Sequence, residues 1–459
     1  MSNPTQPVAS KPPQEKGGIL VGLGSFFTAI AQKFLPDALV FAIFLSVIVF
    51  LGGLIFTDSS FIDMIIYWGD GIWNLLAFAM QVSLTLVLSH ILANTRPVAR
   101  FLDRAASIPK NPVSAVMLAC VVTMICSLLS WGFGLIMGAI YARAVARKVD
   151  GIDYPMLVAG SYCGFLVWHG GLSGTIPLTL ATPGSWTEPI INGLIPVTET
   201  MLSPLNIFLI IFYLITLPFI VKMMVPPKSK ARVVDPELLV ESDIVITPPE
   251  NPTPAQKWEH SRIPSTLLGL VFLIYLIFYF ARNGIMGLNL NIVNLGFFAL
   301  GLLLVSSPIE YVRRTAVAAT NAGNLLIQFP LYAGIMGMMT SSGLGAMISQ
   351  FFISIANADN LPNVLHISSS ILNMFIPSGG GKFAVEAPIY LPAAISLGAN
   401  IPKVAVACAW GDALTNLIQP FWALPLLAIA KLGIRDIMGY CAVATIYGFI
   451  TIQLILWIF

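Results

Sequence analysis

Charge is what this sequence has least of. Of its 459 residues, 10% are Asp, Glu, Lys or Arg and 57% are hydrophobic, with a mean hydropathy of +0.86. A soluble domain carries about 25% charged residues. A chain this poor in charge cannot cover a water-facing surface, so lipid is its expected solvent. The formal net charge is only +2 and no long basic block occurs, which speaks against a nucleic-acid partner. Metal-binding patterns are missing too. The cysteines (Cys120, Cys126, Cys163, Cys408, Cys441) lie in apolar stretches and form no CxxC pair, so they read as small buried hydrophobes. His90, His169, His260 and His366 are scattered without metal-ligand spacing. No cofactor is expected. The apolar segments hold no HExxH, no GxSxG and no aspartates paired at helical spacing, which argues against an intramembrane enzyme. Residues 1–18 are polar and rich in Pro, Lys and Gln, so a disordered cytoplasmic tail is expected there. No short apolar region with a small-residue cleavage site follows, and no removable signal peptide is expected.

Long apolar runs are abundant. They fall at about 36–56, 73–94, 155–181, 203–221, 264–281, 289–305, 318–340, 402–430 and 436–458, each near the ~20 residues that cross a bilayer. Stretch 19–33 reads as an interfacial amphipathic helix. Two further stretches, 112–150 and 363–399, are broken by glycine-rich turns, Ser130–Gly134 (SWGFG) and Pro377–Gly381 (PSGGG). Irregular backbone at membrane depth survives where it is buried or lines a cavity, so both are read as re-entrant hairpins. With nine crossings and a cytoplasmic N-terminus, of the 23 basic residues only Arg282, Lys382 and Lys403 fall outside the cytoplasmic segments. That bias orients the chain N-in, C-out.

The expected fold is therefore an all-α polytopic membrane protein of about nine transmembrane helices and two re-entrant hairpins. The halves also resemble each other. Asn74-Leu75-Leu76 matches Asn324-Leu325-Leu326 and Pro112 matches Pro362, 250 residues apart; Gly132, Gly134, Pro155 and Gly164 match Gly379, Gly381, Pro402 and Gly411 at 247. Loop 95–111 is basic whereas its counterpart 345–362 has no Lys or Arg, so equivalent loops lie on opposite faces. The division expected is a first inverted repeat over 19–221, a cytoplasmic connection 222–263, a linking transmembrane helix 264–281 and a second repeat over 282–459. Inverted repeats are typical of secondary transporters, whose site lies at the repeat interface near the midplane.

After each hairpin comes a helix that breaks partway, in Trp168–Pro177 (WHGGLSGTIP) and Thr415–Pro420 (TNLIQP). Free N–H groups at half-helix N-termini favour a carboxylate. The expected substrate-binding residues are Ser130, Gly132, Gly134, Gly171, Ser173, Thr175, Ser378, Gly379, Gly380, Gly381, Asn416 and Gln419. His169 has the pKa range of a proton carrier, or is a satisfied buried histidine. Lys382 and Glu386 stand four apart on one helical face and, with Asp412, are candidates for a coupling or charge role. Gly160-x-x-x-Gly164 reads as a packing contact. The GGGK string is not a phosphate loop, because Ile376 and Phe383 stand where Gly and Ser/Thr belong.

The strings YWGDGIWNLLAFAMQ (67–81), SWGFGLIMGAIYAR (130–143), GGLSGTIPLTLATPG (170–184), IPSGGG (376–381) and QPFWALPLLAIAKLGIRDIMGYC (419–441) resemble the short-chain fatty acid transporter family, the AtoE-like group, from about residue 25 to the end. The resemblance implies uptake of acids such as acetoacetate or butyrate across the bacterial inner membrane. It also implies kinship with inverted-repeat carriers that often work as homodimers with an elevator-like motion. The function expected is proton- or sodium-coupled symport of a small carboxylate. The alternatives are a carrier of another small anion, such as a dicarboxylate or an amino acid, and a passive channel. Cysteines replacing Arg100 and Gln350 are predicted to label from opposite faces of the membrane; labelling from one face would refute the inverted repeat.

Overall fold

A computed structural model describes residues 38–227, 229, 231–234, 247–320, 322–375 and 379–459. The expected tail and the interfacial stretch 19–33 lie outside the described residues. Those described are helical throughout, with no strand among them. The first half runs α1 Ala38–Phe56, α2 Phe61–Gly71, α3 Leu76–Ala93, α4 Arg96–Ala105, α5 Pro112–Leu129, α6 Trp131–Ala146 and α7 Tyr154–Cys163. A tighter 3-10 segment, Gly164–Gly170, continues α7, followed by α8 Thr175–Ala181, α9 Glu188–Ile191 and α10 Pro204–Met223. The second half runs α11 Pro254–His260, α12 Ile263–Asn283, α13 Leu290–Leu304, α14 Pro308–Ala319, α15 Gly323–Ser341 and α16 Leu344–Ile355. It ends with α17 Leu361–Phe375, α18 Gly379–Leu397, α19 Ile401–Asn416, α20 Pro420–Ala430 and α21 Ile434–Ile458.

Among the described residues, α3, α5, α10, α12 and α21 are long and apolar enough to cross a membrane. The apolar runs at 155–181 and 402–430 are each split in two, as their glycines and prolines imply. Short helices α2, α4, α14 and α16 occupy stretches read from sequence as loops or as edges of apolar runs.

Local chemistry sets the helix starts. Proline, which lacks an N–H, stands in the first turn of α5, α7, α10, α14 and α19, where that N–H would be unpaired anyway. A side chain at the N-cap then accepts an orphan donor: Asp153 Oδ1 from the Met156 N–H at 2.8 Å, and Asn400 Oδ1 from the Lys403 N–H at 2.9 Å. Outside the long spans, Glu310 near the start of α14 pairs with Arg314 at 2.7 Å. Burial alone would raise the Glu310 carboxyl, but hydrogen bonds from Ser306 and Arg314 outweigh it and hold it below its usual range.

Helices α5 and α6 form an antiparallel hairpin that reverses at one residue, Ser130, in extended conformation (φ −160°, ψ 139°). Close approach explains the glycines beyond it. A Cβ on Gly134 would lie 2.7 Å from Ser127 Cα, and one on Gly138 would lie 2.7 Å from Thr123 Oγ1. Gly132 has ordinary room, 3.4 Å to Ser89 Cβ. In the second half α17 and α18 are joined through 376–378, outside the described residues.

The order of elements α1 to α8 recurs in α13 to α20. Contacts recur with it. Gly164 presses on the Cys120 carbonyl and Thr123 of α5; Gly411, 247 residues on, presses on the His366 carbonyl and Ser370 of α17. Gly160 packs on Val116, a helix contact as expected. Two packed groups result. Helices α1, α2, α3 and α12 to α16 form one; α5, α7, α8, α10, α17 and α19 to α21 form the other. The second arms of the hairpins join them: α6 lies on α3 and α4, and α18 lies on α15 and α16.

Gly134→Ala is predicted to cost about 1–3 kcal/mol through overpacking, while Gly132→Ala leaves stability unchanged. Thermal unfolding of the detergent-purified variants distinguishes the two, and equal stability would refute the packing role of Gly134.

Candidate functional site

The broken segment 164–175 is where the elements meet. The Leu172 N–H donates to the Leu128 carbonyl at 2.7 Å and the Trp131 N–H to Ser173 Oγ at 2.9 Å, tying the tip of the first hairpin to the break. Gly171 is needed there, because a Cβ would lie 2.4 Å from the Leu128 carbonyl oxygen. Ser130 bonds Ser89 of α3, Oγ to Oγ, at 2.6 Å. From the other half, Gly379 faces Thr175, His169 and Trp168, and Gly380 faces the Phe78 ring. Gly381 is buried in the first turn of α18, and Gln419 is buried in the gap between α19 and α20. Ser378 lies outside the described residues.

The titratable candidates form one chain of contacts. His169 is fully buried, its ring stacked on Trp168 with centroids 4.1 Å apart. Its Nε2 is approached at 3.1 Å by the Ile176 N–H, an orphan donor at the start of α8. An atom that accepts a backbone N–H carries no proton, so the proton sits on Nδ1 and the imidazole is neutral. Nδ1–H then donates to Asp412 Oδ2 at 3.0 Å, and Thr175 Oγ1 lies 3.1 Å from Nε2. Asp412 Oδ2 also faces Asn416 Nδ2 at 3.4 Å, while its Oδ1 lies 3.9 Å from Lys382 Nζ. Lys382, fully buried, pairs with Glu386 Oε1 at 2.5 Å and donates to Ser369 Oγ. The i, i+4 spacing on α18 places that pair, and burial makes its bonds indispensable.

Several members were missed in the sequence. Ser369 Oγ lies 3.0 Å from the Cys408 carbonyl and 3.2 Å from Glu386 Oε1, its one proton facing both acceptors. Asn373 Nδ2 reaches the Asp412 carbonyl, Thr415 Oγ1 and Asn416 Oδ1 at 2.7 to 2.9 Å. Tyr162 donates to the Asn416 carbonyl at 2.6 Å, and Asn206 Nδ2 to the Gly170 carbonyl at 2.9 Å. The signal for two of them was present: His366, Ser369, Ser370 and Asn373 recur at three- to four-residue spacing within an apolar arm, marking one polar helix face. Beside Glu386 lies a cavity of about 950 Å³ that opens to the outer surface, walled mainly by apolar side chains of α1, α16, α17 and α18, among them Leu45 and Ile389 and the exposed Ile48, Phe351 and Ile371.

Broken helices and paired helical hairpins around a buried polar centre, in a chain with several membrane-length apolar helices, define a membrane transporter. The sequence profile described as Short chain fatty acid transporter matches residues 19–459. A protein whose name places it among short-chain fatty acid transporters, from Escherichia coli (strain K12), is 45% identical over 427 residues, covering 93% of this chain and 97% of that protein. One so named from Haemophilus influenzae (strain ATCC 51907 / DSM 11121 / KW20 / Rd) is 41% identical over 429 residues, covering 92% and 96%. The solved structure of MtrF from Neisseria gonorrhoeae has a TM-score of 0.50 at 12% identity, covering 95% of this chain and 97% of that one, a likeness of fold. This chain belongs to the short-chain fatty acid transporter family, whose members are transporters and not enzymes.

Lys382→Met alone is predicted to destabilise the protein by about 3–5 kcal/mol, since it strands Glu386 as an unpaired buried charge. Lys382→Met combined with Glu386→Leu should recover most of that loss. Thermal unfolding in detergent tests this, and a double variant no more stable than the single one would refute the pairing.

Proposed function

We propose that the chain is a secondary active transporter that carries short-chain monocarboxylates, such as acetoacetate or butyrate, across the bacterial inner membrane by proton or sodium symport. One observation carries this reading: a fully buried ammonium, Lys382, at the meeting point of the broken helices, with an apolar cavity beside its partner Glu386. The ammonium suits the carboxylate head, and the apolar walls suit a short alkyl tail. Family membership supports the same substrate class.

The remaining parts of the reading belong to it as proposals. The halves 19–221 and 282–459 are inverted repeats about the linking helix 264–281, the chain runs N-in and C-out, and the two glycine-broken stretches are re-entrant hairpins. Alternating access moves the group holding the polar centre against the other, in a homodimer. Ser130, Gly132, Gly134, Gly171, Ser173, Thr175, Ser378, Gly379, Gly380, Gly381, Asn416 and Gln419 surround the substrate, and His169, Lys382, Glu386 and Asp412 govern charge. A carrier of another small anion is the second reading. Lys382 is the one cation in the described cluster, which favours a single carboxylate over a dicarboxylate.

Proteoliposomes containing the protein should accumulate labelled butyrate or acetoacetate when a proton or a sodium gradient is imposed, and Gly132→Leu and Gly380→Leu should abolish that uptake. No gradient-driven uptake of either acid would move the substrate to another small anion or the mechanism to a passive pathway. Near-normal uptake by either variant would refute the placement of the hairpin tips.

A further inference from the structure

The buried chain of contacts is not balanced in charge. Lys382 supplies one positive charge and Glu386 and Asp412 two negative ones, while His169 is held neutral by the Ile176 N–H. The other groups facing Glu386 add nothing. From α17, Ser369 is a hydroxyl, and His366 accepts at Nδ1 the Gln453 Nε2–H at 2.8 Å, so that nitrogen carries no proton. Cys408 of α19 is a free thiol and Tyr390 of α18 a phenol. The cavity walls from α1 and α16 bring no charge. A substrate carboxylate entering this site would therefore raise its excess from one negative charge to two, in a place where unpaired charge is costly.

We propose that Glu386 is the proton-binding group of the carrier, exchanging with the substrate carboxylate on Lys382. The proposal rests on the carboxylate-carrier reading above and names its coupling ion. As substrate arrives, Lys382 Nζ shifts its hydrogen bond from Glu386 Oε1 to a substrate oxygen. Glu386 gains one proton from water on the open side, forming an O–H bond. Lys382 keeps its three protons, and no covalent bond in the protein breaks. The site carries one excess negative charge before and after, so one proton accompanies each carboxylate, and a full cycle of loaded and empty carrier moves no net charge.

Geometry selects Glu386 over Asp412. Glu386 borders the cavity, which Asp412 does not. Both bonds of Glu386, to Lys382 and to Ser369, pass through Oε1. Asp412 instead is held by His169, with Asn416 beyond. Losing that bond would also disturb the cap of α8.

The test is calorimetric titration of the detergent-purified full chain with butyrate, across a pH range in which butyrate stays ionised and in buffers of differing ionisation enthalpy. Wild type should take up about one proton per butyrate bound, and its affinity should fall about tenfold per pH unit once Glu386 ionises. In Glu386→Gln the pH dependence should vanish and the proton uptake with it. Wild-type binding without proton uptake would overturn the proposal, as would a Glu386→Gln variant that keeps the wild-type slope. The proton count in wild type decides the matter even if that variant fails to fold. Absence of butyrate binding at every pH would instead overturn the carboxylate-carrier reading, and this inference with it.

Discussion

A single buried ammonium organises the centre of this molecule. An uncompensated charge at that depth would cost several kcal/mol, so Lys382 requires Glu386 one turn along its own helix, Asp412 from α19 and Ser369 from α17. Asp412 in turn orients His169, and His169 caps the half-helix α8. Four elements from both halves of the chain are thus fixed by one charge. The break in the first half, the hairpin of the second and the helix after it are mutually dependent for that reason.

Glycine is the complementary constraint. The ionic chain closes only if the backbones of the hairpins approach the broken segments within side-chain distance, and Gly171, Gly379 and Gly411 make room for that. Gly132 is different. It has space for a methyl group, so its place in the first turn of α6 is not dictated by packing at the Cβ.

Much of this was legible in the sequence, and the limits follow from physics. The low charge content and the apolar runs gave the helical membrane class, and the glycine and proline clusters gave the breaks, because each has a local cause. Lys382 and Glu386 were visible as a pair since four residues is one helical turn. The link from Asp412 to His169 was not, as it joins residues 243 positions apart that only the tertiary fold brings together. Ser369 and Asn373 were overlooked because their arm is so apolar that its polar face was read as background. The short helices α2, α4, α14 and α16 escaped for the opposite reason: they are too short to span a bilayer, and three of them bear charges, so they read as connections.

The two packed groups meet through neutral contacts such as the Ser89–Ser130 hydroxyl pair and the seat of Gly380 on Phe78. In the ionic chain, Asp412 and His169 belong to the second group, whereas Lys382 and Glu386 stand on α18, the arm that packs on both groups. The cavity beside Glu386 draws its walls from both sides. A slip of one group past the other would keep the Lys382–Glu386 and His169–Asp412 pairs, each of which stays within one body, put its load on the 3.9 Å approach of Lys382 to Asp412, and reshape the apolar cavity beside Glu386. The two close pairs are the invariant of such a motion, and the volume beside them its variable.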